Sequence, residues 1–256
     1  MSGNGRLAGK VAIVTGGASG FGAAITTLFA QEGCNVLLCD LNEELAHTVA
    51  KPYAESKQVQ VCHMDVTKEE AWTRAVKACL DNWGGIDILV NNAGTSYRNK
   101  PTLDVTEAEF DLVFKVNVKS IFWSVKTVVP QFKKQGRGGS IINISSIGAA
   151  RPRPGLVYYN ATKGAVSNAT NGLASEFGAD QIRVNDIRPL LSGTGLFESF
   201  VGVPDTPENR EKFTGQVPMG RLTDPLDIAK GALFFASDDS KFVTGDSLVI
   251  DGGKSI

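Results

Sequence analysis

Seven short apolar runs rich in Val and Ile recur along the chain: VAIVTG (11–16), NVLLCD (35–40), VQVCHMDV (59–66), DILVNNAG (87–94), SIINISS (140–146), RVNDIRP (183–189) and SLVID (247–251). Most are continuous rather than alternating, as strands covered on both faces are. Stretches with helical spacing separate them. One begins at TEAE (106–109), where Thr106 is placed to cap the helix and Glu109 to reach back to it. Another begins at TDPLD (223–227), with Asp224 as the cap and Pro225 at the first helical position. This alternation predicts an α/β fold, a doubly wound, mostly parallel seven-stranded sheet with helices on both faces. Its ligand crevice is expected beyond the carboxyl ends of the strands. No repeat, low-complexity tract or linker divides residues 1–256, which are read as one domain. The irregular region is 190–221, rich in Gly, Pro and polar residues, between the last two strands. Loops of that length are often functional, and this one is read as a substrate lid.

Charge and cysteine content narrow the function classes. With 26 basic and 27 acidic residues and a net charge of −1, the chain is not expected to bind nucleic acid or an anionic membrane surface. Its four cysteines (Cys34, Cys39, Cys62, Cys79) form no CxxC pair and there are only two histidines, so no metal site is expected. Buried, reduced thiols fit a cytoplasmic protein. No apolar run approaches the ~18 residues of a membrane span. The opening MSGNGRLAGK lacks the apolar core of a signal peptide. The expected location is the cytoplasm.

The segment TGGASGFG (15–22) follows the first strand directly and runs into a helix. Gly16, Gly20 and Gly22 let the backbone turn tightly and admit a ligand with no Cβ in the way. The helix behind them offers unpaired N–H groups and the positive end of its dipole to a pyrophosphate. The second strand ends at Asp40, a carboxylate suited to both hydroxyls of an adenosine ribose and repulsive to a 2′-phosphate. No Arg or Lys in 16–22 or 36–45 offsets that repulsion, so the expected cofactor is NAD rather than NADP. Asp40 as a cap of the next helix is the alternative, and the two roles are compatible.

Taken with these, the remaining motifs make the chain resemble the short-chain dehydrogenases/reductases. TGGASGFG, NNAG (91–94), NVKS (117–120), INISS (142–146), YNATK (159–163) and DGG (251–253) stand in family order at family-like spacing. The likeness covers nearly the whole chain, excepting the first few residues and 190–221. It implies a Rossmann-type fold and a catalytic Tyr-x-x-x-Lys pair. In YYNATK (158–163) only Tyr159 stands four residues before Lys163. On a helix this spacing puts both side chains on one face, whereas Tyr158 points roughly 100° away. A phenol with an ordinary pKa of ~10 is a poor base at neutral pH, and a neighbouring ammonium is expected to favour its ionised form. The family's helper serine, about 13 residues before the tyrosine, selects Ser146 over Ser145 as donor to the substrate oxygen. Asn117 matches the asparagine that organises a proton-relay water with the lysine. Tyr158 is read as a packing or pocket-wall residue.

The resemblance also implies the cofactor contacts: Ser19 and Phe21 within the glycine turn, Asp65 and Val66 flanking adenine, and Asn92, Ala93 and Gly94 beneath the cofactor. Tyr159, Lys163, Pro189 and Thr194 are expected at its nicotinamide side. One position departs from the pattern. Leu190 follows Pro189 where the family usually has glycine, which brings a Cβ to a place where the backbone runs close to the nicotinamide. The implied activity is reversible hydride transfer between NAD(H) and a small secondary alcohol or ketone, in a homotetramer built on helices at 106–132 and 158–178 and on the tail VIDGGKSI. The tail and lid resemble sugar (glucose-type) dehydrogenases or 3-oxoacyl-carrier-protein reductases. Phe197, Phe200, Val201 and Val203 read as an apolar lid face better suited to a cyclic or aryl ketone. A non-catalytic NAD-binding sensor is the reading of another class, opposed by the intact Asn-Ser-Tyr-Lys set.

Overall fold

The computed structural model describes residues 5–193 and 197–256, and in it all seven runs join one sheet. The strands are β1 (Val11–Thr15), β2 (Asn35–Asp40), β3 (Val59–His63), β4 (Ile88–Asn91), β5 (Gly139–Ile144), β6 (Ile182–Pro189) and β7 (Ser247–Ile250). They lie in the order β3-β2-β1-β4-β5-β6-β7, and every neighbouring pair is parallel. The order reverses between β1 and β4, the switch point at which such sheets bind ligands. Several strands stop short of their apolar runs. Gly16, Met64 to Val66, Asn92 to Gly94 and Ser145–Ser146 leave the ladder and form the rim of a cleft.

The helices among the described residues are α1 (Gly20–Gln31), α2 (Glu43–Ala50), α3 (Glu69–Trp83), α4 (Glu107–Phe114), α5 (Ser120–Gln135), α6 (Val157–Phe177), α7 (Phe197–Val201), α8 (Pro207–Thr214) and α9 (Pro225–Ala236). Continuous apolar strands are what two covered faces demand. Ala12 and Val14 of β1 pack with α1, α2 and α9, while Val11 and Ile13 pack with α3, α5 and α6. Each large side chain buried this way contributes roughly 1.5–3 kcal/mol. The expected caps are present. Thr106 and Glu109 form a capping box on α4, and Asp224 forms one with Asp227 on α9, with Pro225 in the first turn.

Two stretches are more structured than their sequences suggest. Between α4 and α5 the chain passes through a π-helical turn, Lys115–Lys119, which contains Asn117. Such wide turns inside helices often mark functional positions. Region 190–221 is not an open loop. It folds into α7 and α8, and Leu190, Phe197, Phe213 and Val217 form a small core of their own. The Phe197 and Phe213 rings meet edge to face at 5.9 Å. No helix among the described residues is long and apolar enough to cross a membrane.

Candidate active site

Beyond the carboxyl ends of the strands lies one cleft of about 680 Å³. Of the sequence-predicted residues, Gly16, Ser19, Gly20, Phe21, Asp40, Asp65, Val66, Asn92, Ala93, Gly94, Ser146, Tyr159, Lys163 and Pro189 line it. Gly22 and Asn117 are not among the lining residues and support the wall from behind. Thr194 lies outside the described residues.

The glycine turn is held mainly through backbone groups. Gly16 and Gly20 have φ of +62° and +51°, the left-handed region that favours glycine. A Cβ on Gly22 would stand 2.0 Å from the Gly16 carbonyl oxygen and 2.5 Å from Asn92 Nδ2. Asn92 Nδ2 donates to the carbonyls of Thr15 (2.8 Å) and Gly16 (3.0 Å), pinning the turn to the end of β4. Helix α1 starts after Ser19, whose side chain makes no capping hydrogen bond, and its first turn carries no acidic residue. Its N–H donors and dipole therefore face the cleft without a competing carboxylate.

Asp40 closes this end. Its Oδ2 accepts from Ala18 N at 3.0 Å and its Oδ1 from Asn42 N at 2.9 Å. The cap of α2 is Asn42, which accepts from Leu45 N, so the alternative role for Asp40 as that cap does not hold. Each carboxylate oxygen keeps a lone-pair site beyond the bond it accepts. A glycine cradle that a Cβ would fill, an uncapped helix N-terminus and a carboxylate with spare acceptor capacity fit a dinucleotide.

The two serines at the end of β5 divide their work. Ser145 is buried, and its hydroxyl donates to the Lys163 carbonyl (3.0 Å) and pairs with Ser167 Oγ (2.9 Å), tying β5 to α6. Ser146 accepts from Gly148 N at 3.0 Å and lines the cleft together with Tyr159. Lys163 is buried below Tyr159, with Nζ donating to the Ile144 carbonyl at 2.8 Å and lying 5.8 Å from the phenol ring centroid. Burial pulls the Lys163 ammonium down to about 8, opposed by the Asp186 carboxylate on β6. Burial likewise pushes the Tyr159 phenol up to about 12, opposed by Ser146. Sequence alone suggested a shift the other way for the phenol. Desolvation of the buried phenol outweighs the influence of Ser146, which favours the ionised form.

Asn117 makes three hydrogen bonds through its side chain. Its Oδ1 accepts from Thr95 N (2.8 Å), and its Nδ2 donates to the Thr95 carbonyl (2.9 Å) and Thr162 Oγ1 (3.0 Å). A Cβ on Gly94 would stand 3.4 Å from both Asn117 Oδ1 and Lys163 Nζ, so these two atoms face one small space. Tyr158, by contrast, is outside the cleft. Its ring packs edge-on against Phe110 at 5.1 Å and its N–H donates to Tyr97 Oη.

Three features were not legible beforehand. Leu190 adopts no left-handed conformation; its side chain is buried beside Phe197 and Phe213 and also lines the cleft. Of the expected apolar lid face, only Phe200 reaches the cleft, meeting the Tyr159 ring edge-on at 5.1 Å. Phe197 is instead a fully buried anchor, Val201 packs beside it, and Val203 is exposed. Arg153, Phe213 and Lys254 also line the cleft, and no spacing signal in the sequence connects them.

A family profile described as Enoyl-(Acyl carrier protein) reductase matches residues 16–255. The chain belongs to the short-chain dehydrogenase/reductase family. It is 46% identical to a 4-formylbenzenesulfonate dehydrogenase of Comamonas testosteroni, over 96% of this chain and 98% of the relative. It is 42% identical to a 2,5-dichloro-2,5-cyclohexadiene-1,4-diol dehydrogenase of Sphingobium indicum, over 98% of each chain. The crystal structure of a 3-ketoacyl-(acyl-carrier-protein) reductase from Brucella melitensis complexed with NADH superposes with a TM-score of 0.91 at 38% identity, covering 98% of this chain and 100% of that one. These relatives are all dehydrogenases or reductases, and oxidoreduction is the activity they support.

Proposed function

We propose that this chain is an NAD(H)-dependent oxidoreductase interconverting a secondary alcohol and a ketone, with residues 1–256 acting as one dinucleotide-binding and catalytic domain. The observation that carries this reading is the meeting of Ser146, Tyr159 and Lys163 in the same cleft as the open N-terminus of α1. Gly16, Ser19, Gly20 and Phe21 would hold the pyrophosphate, with Gly22 allowing the close approach. Asp40 would hold the adenosine ribose, and Asp65 and Val66 would flank adenine. Asn92, Ala93 and Gly94 would lie beneath the cofactor, with Lys163, Pro189 and Thr194 at its other end. Once bound, the nicotinamide supplies the hydride donor or acceptor.

The chain's own residues then handle the oxygen and its proton. Ser146 Oγ donates to the substrate oxygen and Tyr159 Oη exchanges a proton with it. A phenol at about 12 is protonated at neutral pH, the correct state for delivering a proton to a ketone oxygen. In the oxidative direction the phenol must first lose that proton, and the Lys163 charge favours the loss. Asn117 holds the Thr95 backbone and faces the space beside Lys163 Nζ, which suits a relay. Region 190–221 acts as a lid, with Phe200 against Tyr159 and Phe213 farther along the wall. This apolar lining, and the ring compounds named for two relatives, support a cyclic or aryl substrate over a free sugar.

Asp40 motivates NAD rather than NADP. Two like charges ~4 Å apart at an effective dielectric of ~20 repel by ~4 kcal/mol, an upper bound that ions and movement reduce. A remaining ~1.5–3 kcal/mol corresponds to roughly 10- to 150-fold in affinity. Steady-state kinetics with both cofactors on the parent and on Asp40→Ala test this. NAD is expected to lead by at least about tenfold, and the gap to narrow in the variant. Equal use by the parent, or an unchanged ratio, would remove Asp40 from the ribose. A symmetric tetramer is proposed as well. Exposed Leu112 and Phe122 on α4 and α5, and Phe242 and Val249 near β7, supply two apolar faces; a monomer mass by light scattering at micromolar concentration would reject it.

A further inference from the structure

The charged residues lining the cleft are segregated. The acidic ones are Asp40 and Asp65, both at the adenosine positions; the others, Arg98, Arg153, Lys163 and Lys254, are all basic. Arg98 is paired with Glu198 at 2.7 Å, and Lys163 belongs to the Tyr159 unit. Arg153 has no such partner: among the described residues its guanidinium makes no hydrogen bond or ion pair, and its centre lies 5.4 Å from the Phe213 ring centroid. Burial alone holds that guanidinium below its ordinary value, with no carboxylate to oppose the shift. Lys254 Nζ lies 6.0 Å from the same ring and donates only to the neutral Gln216 side chain, at 2.8 Å. Two cations therefore flank one aromatic wall, and among the described residues no carboxylate pairs with either of them.

A cation partly withdrawn from water without a partner is costly. Contact with the Phe213 face offsets part of that cost, but leaves the guanidinium donors unsatisfied. An oxyanion fits them, because the planar fork of arginine matches a carboxylate or sulfonate in two-point contact. We propose that Arg153, assisted by Lys254, binds an anionic substituent of an aromatic or alicyclic substrate whose reacting carbon lies at Tyr159 and whose ring lies against Phe200 and Phe213. This rests on the dehydrogenase reading above and names the substrate class for the same site. It separates the protein from an enzyme for simple neutral alcohols, and it assigns the basic wall a role in specificity rather than in lid packing.

The test uses a matched pair, 1-phenylethanol and 4-(1-hydroxyethyl)benzoate, at saturating NAD. Calorimetric titration of the NADH-loaded protein with acetophenone and 4-acetylbenzoate provides a readout without turnover. The anionic member of each pair is expected to be favoured at least about tenfold, through KM and Kd, and the preference to shrink as salt is added. Arg153→Met should collapse the ratio towards one, while Arg153→Lys should retain part of it. Equal use of both alcohols by the parent, or an undiminished ratio in Arg153→Met, would overturn the anion site and leave the dehydrogenase reading standing. If Arg153→Met does not fold, the parent's ratio, its salt dependence and Lys254→Met decide. If the parent turns over neither alcohol with either cofactor, the dehydrogenase reading falls and calorimetry decides the anion site alone. Tighter binding of 4-acetylbenzoate then supports it, and equal binding overturns it.

Discussion

At one end of the cleft, Gly16, Asn92 and Asp40 are tied to one another through backbone groups, with hydrogen bonds of 2.8–3.0 Å reaching Thr15, Gly16 and Ala18. At the other end, the wall is made by side chains alone: Arg153 lies over Phe213, and Phe200 meets the Tyr159 ring. The first end tolerates few residue types, because a Cβ or a missing acceptor would collide with or release the main chain. The second accepts any set of side chains that fills the same space. The cofactor end is therefore the more tightly constrained of the two, and the lid end the freer to take other side chains. Tyr159 stands at the junction.

The largest effect is expected at that junction. Tyr159→Phe removes the ionisable oxygen and should lower the chemical rate at least ~10²-fold. Tyr158→Phe keeps the ring against Phe110 and should retain most activity. Single-turnover rates at saturating substrate compare the two. A greater loss from the Tyr158 change would move the site off its present register.

Next comes the rigidity of the glycine end. Gly22→Ala forces a Cβ against the Gly16 carbonyl and should cost about 1–3 kcal/mol in denaturant unfolding, with weakened NADH binding. Gly172→Ala, in α6 with nothing within 4 Å of its Cβ, should instead gain about 0.4–1 kcal/mol. Equal tolerance of both changes would mean that close approach does not constrain the turn.

A pH-linked effect should sharpen the comparison further. Lys163 titrates at about 8 in the native protein against an ordinary 10.5, so between these values the native state binds fewer protons than the unfolded chain. Its contribution to stability is therefore complete above about 10.5 and is lost as pH falls through 8. Tyr159 acts with the opposite sign: its contribution holds below pH 10 and is lost as pH rises through about 12. Unfolding of the parent and of Lys163→Met across pH 7–10 should differ by a slope that favours the parent as pH rises. Parallel curves would mean that Lys163 is not desolvated.

Much of this was legible in the sequence because the relevant constraints are local. The seven continuous apolar runs read directly as strands buried on both faces. Thr106 with Glu109, and Asp224 with Pro225, announced their helix starts within four residues. Tyr159 and Lys163 share a helix face by spacing alone. What was not legible depends on partners distant in sequence. Leu190 looked like an obstacle to the nicotinamide-side turn, yet it is buried beside Phe197 and Phe213, which only folding of 190–221 brings near. The five residues of α7 are too few for a periodicity that would separate Phe197, an anchor, from Phe200, a cleft residue. The phenol shift at Tyr159 was misjudged for a related reason, since spacing reveals the neighbouring ammonium but not the loss of water around both groups.

The central claim is hydride transfer at Tyr159, and isotope transfer tests it most directly. The protein would be incubated with NAD and 4-(1-hydroxyethyl)benzoate, or 1-phenylethanol, deuterated at the carbinol carbon, and the NADH and ketone analysed by mass spectrometry. One deuterium should appear in NADH for each ketone formed, and Tyr159→Phe should suppress both products together. NADH formed without deuterium, or ketone formed equally fast by Tyr159→Phe, would contradict the account.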